Sequence, residues 1–127
     1  GVQTRPVGQD DRYPLRPASL VQTLADYIDL HVYASNNAQN ELRGAALPQE
    51  KPLLMGETGA YTGFFSNASV AASAIRRVII DSFDYRFTGW GVWTWDSVDQ
   101  EPRFWTLTEQ NNTLNNVLAP SVWPIGE

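Results

Sequence analysis

Residues 51–61 read KPLLMGETGAY. Leu53 to Gly56 have the look of a buried strand. Pro52 sits just inside its start, where a missing N–H donor is tolerated. Gly56 permits close packing, and Gly59 and Gly63 mark the loop beyond. The run closes on Glu57, a carboxylate set between small residues. Either it solvates a strand end or it is the reason the strand is there. The flanking segments decide between the two.

Upstream lies YIDLHVY, residues 27–33. Ile28, Leu30 and Val32 alternate with Asp29, His31 and Tyr33, which predicts a strand whose second face carries polar groups. Ser19 is placed to cap a short helical stripe of Leu20, Val21, Leu24 and Ala25. Residues 3–18 are rich in proline and arginine and read as a loop. Residues 34–50 are a helix or a long loop closing at Pro48.

Downstream, residues 67–83 carry the clearest helical pattern. Ala68, Ala71, Ala72, Ile75, Val78, Ile79 and Phe83 form one apolar side, with Ser66 or Asn67 as cap. Arg76, Arg77 and Asp81 are expected to face water. FTGWGVWTWD, residues 87–96, is a strand by its aromatic and β-branched content, although two glycines weaken it. Residues 106–119 predict a poorly amphipathic last helix that ends before Pro120. Strands separated by helices need crossovers, and crossovers favour parallel pairing. The expectation is an α/β fold with a parallel sheet.

The chain has 127 residues, 43% of them hydrophobic, enough for one domain with a real core. Its net charge of −5 argues against a nucleic-acid partner, which needs a basic footprint. No apolar stretch approaches the roughly 18 residues of a membrane span. There is no cysteine and a single histidine, so neither a disulfide nor a zinc site is expected, and nothing implies an organic cofactor. No signal-peptide pattern occurs. Trp90, Trp93 and Trp95 lie close together, and clustered indoles point to a flat ligand or a large interface.

In a parallel sheet the C-terminal strand ends lie side by side, and ligands bind there. Those ends would bring together Asp29, His31 and Tyr33 from the first strand and Glu57 from the second. Glu57 is expected on the face of Leu53 and Met55. The third strand would add Gly91, Trp93 and Trp95, and then Asp96. Asp29 is assigned to bonding a neighbour, and Trp90 to packing against helices.

With these residues in order, the chain resembles the C-terminal half of a clan A (β/α)8 glycoside hydrolase, nearest to the cellulase-like glycoside hydrolase family 5. The resemblance covers roughly residues 20–99. In that family strand six carries a histidine and a tyrosine two apart, matched by His31 and Tyr33 in DLHVY. Strand seven ends in the nucleophilic glutamate, matched by Glu57 in LLMGET. Strand eight bears a sugar-stacking tryptophan, matched by Trp93 in GVWTWD. The resemblance implies a TIM-barrel half holding strands five or six to eight. Residues 1–18 would be a loop or a remnant of strand five, and residues 100–127 a terminal loop and helix. It implies a retaining β-glycosidase acting on a β-linked poly- or oligosaccharide, and secretion by analogy with the family. Glu57 would be the nucleophile, with Tyr33 donating to it and keeping its pKa low. His31 would orient Glu57 or bond a sugar hydroxyl. Trp93, Trp95 and Asp96 would contact substrate.

The sequence also departs from the family. The acid/base glutamate should follow an asparagine at the end of strand four. Asn40-Glu41 comes after the DLHVY strand and has no strand of its own before it, so it does not fill that place. A full barrel takes about 250 residues. The expected partners are therefore carbohydrate and either the N-terminal half of the barrel or a second copy of the chain. The 127-residue chain alone is expected to be inactive. The alternative is an inactive carbohydrate-binding or self-assembling half-barrel.

Overall fold

The computed structural model describes residues 24, 26–35, 38, 39, 42, 51–95 and 103–119. The readings for residues 1–18, for most of the 19–25 and 34–50 segments, for Asp96 and for 120–127 lie outside these residues. Three strands form one sheet: β1 (Ile28–His31), β2 (Leu53–Thr58) and β3 (Phe87–Val92). They pair in the order β1-β2-β3, and both pairings are parallel. Helix α1 (Ala68–Asp84) connects β2 to β3, and α2 (Glu109–Leu118) packs against α1. The expected parallel α/β sheet is therefore present, with its C-terminal ends aligned.

The core forms where the sheet's apolar face meets α1. Ile28, Leu30 and Val32 from the β1 segment and Leu53 and Met55 from β2 are buried with Ala68, Ala71, Ala72, Ile75, Val78 and Ile79. The alanines lie in the first half of α1 and bring its backbone close to the sheet. Burying Ile75 completely contributes on the order of 1.5–3 kcal/mol. Asn67 caps the helix, its side chain accepting the Val70 N–H at 3.0 Å.

Two expectations for α1 are corrected. Phe83 is 52% exposed rather than part of the apolar side. Asp81 is buried rather than wet. It pairs with the Arg77 guanidinium, Nε to Oδ1 2.9 Å, and accepts a hydrogen bond from the Gln39 side-chain amide. A carboxylate can be buried when cation and donor come with it. Leu24, placed in an apolar stripe by its spacing, is fully exposed.

Strand β3 ends at Val92, earlier than its composition predicts, and the Trp93–Thr94 peptide is cis. The backbone still continues the sheet. The Trp93 N–H donates to the Thr58 carbonyl at 2.7 Å, and the Val32 and Ala34 N–H groups donate to Glu57 and Gly59 carbonyls at 3.1 and 2.9 Å. Tyr61 then forms an antiparallel bridge with Phe104. The last helix enters through a left-handed turn, with φ of 46, 60 and 60° at Gln110, Asn111 and Asn112, and is anchored by buried Leu114.

Candidate functional site

The site begins with a change of register in β2. Asp29 pairs with Leu54, but His31, two residues on, pairs with Glu57. On the other side Met55 pairs with Trp90, and Thr58 with Val92. Between Met55 and Thr58, β2 therefore holds one residue more than either neighbour. This is a one-residue β-bulge, which breaks alternation and re-aims the side chains beyond it. Glu57 was expected on the face of Leu53 and Met55. The bulge turns it to the face of Asp29 and His31 instead, and Thr58 goes into the core.

Three side chains meet on that face. The Glu57 Oε2 lies 3.3 Å from the His31 Nδ1. The other ring nitrogen, Nε2, lies 3.5 Å from the Asp29 Oδ2. The remaining Asp29 oxygen, Oδ1, accepts the Gly56 N–H at 2.9 Å. A Cβ at 56 would stand 2.2 Å from the Asp29 Oδ1, so any larger residue there must displace the Asp29 carboxylate. All three side chains are about a quarter exposed or less. Asp29 thus bonds a neighbour, as its position suggested.

Burial raises the Glu57 pKa above its usual value. His31 opposes that shift and Asp29 adds to it. The direction is opposite to the lowering expected from a Tyr33 hydrogen bond. The structure places Tyr33 elsewhere. Its ring packs against Tyr61 and Phe104, with centroids 5.2 and 5.6 Å away. No hydrogen bond joins it to Glu57 among the described residues. Tyr61 and Phe104 are themselves 4.5 Å apart, and Phe64 extends the cluster. This cluster could not be read from spacing, because the Tyr61–Phe104 bridge joins distant segments.

Gly59 sits where the three strand ends converge. A Cβ on it would lie 2.4 Å from the Trp93 carbonyl oxygen and 3.2 Å from the Tyr33 ring. Trp93 is held beside the β2 end by its bond to Thr58 and is 36% exposed, while Trp95 is 65% exposed. Each presents part of a flat indole at the surface. Trp90 lies on the helix side, lining a cleft with Arg76, Ile80 and Val117. The Asp96 position lies outside the described residues. No group of His, Cys, Asp or Glu among the described residues is arranged to hold a metal.

The fold and site define a small parallel α/β sheet with a Glu–His–Asp constellation at its C-terminal edge. The chain matches no protein-family model, no curated protein and no solved structure.

Proposed function

We propose that this chain is part of a clan A (β/α)8 glycoside hydrolase, nearest to glycoside hydrolase family 5, and supplies the last strands of its barrel. The whole protein would be a retaining β-glycosidase acting on a β-linked poly- or oligosaccharide. The reading is carried by the meeting of Glu57 and His31 at the C-terminal ends of adjacent parallel strands, with Trp93 bonded to the next residue of β2. In such sheets that edge is where ligands bind.

In this role Glu57 attacks the anomeric carbon and forms a covalent glycosyl ester as the leaving oxygen takes a proton. Water then hydrolyses the ester. The proton donor is a second carboxylic acid about 5 Å from the nucleophile. It would come from the N-terminal half of the barrel. His31 holds the Glu57 carboxylate from the side, and Trp93 and Trp95 stack on the apolar faces of sugar rings.

A 2-deoxy-2-fluoro-β-cellobioside with a dinitrophenolate leaving group tests this directly, because that group departs without an acid. Incubation should add one fluorocellobiosyl unit to the peptide carrying Glu57, and none in Glu57→Gln. An unlabelled Glu57 at saturating reagent would overturn the nucleophile assignment.

Two observations favour a second reading. The raised Glu57 pKa and the displacement of Tyr33 into the aromatic cluster suit a carbohydrate-binding remnant without turnover. Cello-oligosaccharide affinity that is equal in the wild type and Glu57→Gln, without labelling, would support it.

A further inference from the structure

We propose that Asp29 is a positioning residue for Glu57. It holds the β2 bulge at Gly56 and the far side of the His31 ring, and through both it fixes the direction of the Glu57 carboxylate. As a statement about catalysis this rests on the glycosidase reading. As a statement about where Glu57 points, it stands without that reading.

The argument starts from the bulge. An amide has one hydrogen to give, and the Gly56 N–H donates to the Asp29 Oδ1 at 2.9 Å. An extra residue disrupts the local ladder. A carboxylate acceptor satisfies the amide this leaves over, with a charge-assisted bond stronger than a neutral one. The same carboxylate occupies the space that a side chain at 56 would fill. The bulge is therefore pinned from β1.

The second oxygen of Asp29 faces the His31 Nε2, and the Nδ1 of that ring faces Glu57. The imidazole stands between two carboxylates, each near one nitrogen. With both ring nitrogens protonated, each N–H faces one carboxylate, and the ring cannot turn without losing one of the two contacts, so Asp29 sets the plane in which the His31 Nδ1 meets Glu57. Two routes, one through the backbone and one through the ring, lead from Asp29 to the same carboxylate. Among the described residues, His31 and Asp29 are the charged groups acting on Glu57.

The test uses isotope-labelled full chain in wild-type, Asp29→Ala and Asp29→Asn forms. It reads Gly56 amide exchange and the step in the His31 Nδ1 resonance as Glu57 titrates. In Asp29→Ala, Gly56 exchange should speed by about tenfold or more, as expected for losing a bond to a charged group, and the His31 step should vanish. In Asp29→Asn the side-chain oxygen still accepts from Gly56, so protection persists. The His31 ring resonances shift because Nε2 no longer faces a charge. Faster Gly56 exchange with the His31 step intact would mean that Asp29 only staples the strands, which overturns the proposal. Unchanged exchange and an unchanged step would overturn it too. If Asp29→Ala does not fold, the Asn variant decides: unaltered His31 resonances there would sink the proposal. No sugar enters this experiment, so its result is independent of the labelling at Glu57.

Discussion

His31 and Glu57 are Cα partners across the β1–β2 pair, and their side chains meet on one face, Nδ1 to Oε2 3.3 Å. Strict alternation from Leu53 and Met55 would have sent Glu57 to the other side of the sheet. The contact is the product of one extra residue in β2, and most of what the site can do depends on it.

Glu57 makes stability depend on pH in a defined direction. Its folded pKa lies above the unfolded one because burial disfavours the charge. The folded state then binds the proton more tightly, so stability falls as pH rises from the unfolded pKa through the folded one. Glu57→Gln, which stays neutral, should melt higher than the wild type at pH 7. The gain should disappear in acid, below the unfolded pKa. Thermal melts at both pH values check this.

Gly56→Ala should destabilise by about 1–3 kcal/mol, the usual cost of overpacking, because its Cβ would enter the Asp29 carboxylate. Asp29→Ala in the same chain should recover part of that loss. A double-mutant cycle in urea measures the coupling.

Two other glycines should respond in opposite ways. At Gly59 an added Cβ meets the Trp93 carbonyl, a backbone atom that cannot step aside. At Gly63 it meets nothing within 4 Å, and the backbone there is not left-handed. Gly59→Ala should therefore cost stability, while Gly63→Ala should be neutral or gain about 0.4–1 kcal/mol through the unfolded state. Denaturant midpoints distinguish them.

Arg86 closes α1 with φ 66°, a left-handed turn that glycine adopts freely. Relief of that conformation is worth about 1–2 kcal/mol. Arg86→Gly should raise the melting temperature even though it removes a side chain.

Thr58 is the counterpart of Glu57. The bulge that turns one outward turns the other inward, and the Thr58 hydroxyl is buried with no hydrogen-bond partner. Replacing an unsatisfied buried polar group by an apolar one of the same shape removes its desolvation cost, about 1–3 kcal/mol. Thr58→Val should stabilise by up to that amount, measured by chemical denaturation.

The elements themselves were legible. Short apolar runs at Leu53–Met55 and Ile28–Val32 announced strands, and the alanine and isoleucine spacing announced α1. The helices between strands announced parallel pairing. The face of Glu57 was not legible, because a bulge is a property of two strands and shows only in their register. Asp81 was misplaced for a similar reason. Its burial depends on Gln39, which the chain brings to it from a distant segment. Tyr33 was assigned to Glu57 because nothing local predicts the bridge that offers it Tyr61 and Phe104 instead. The extent of β3 was overestimated from Trp93 and Trp95, which are suited to strands and equally to the exposed segment they occupy beyond Val92.

The buried Asp81 also bears on how the molecule opens. It ties the chain that follows β1 to the helix that follows β2, through Gln39 on one side and Arg77 on the other. Pulling that chain away would strip a buried carboxylate of one of its two partners. Trp95, 65% exposed, would leave no buried charge behind. Breathing at this edge of the sheet should therefore start at Trp95, with Gln39 held from behind. Backbone exchange would register it as an order of release, Trp95 first.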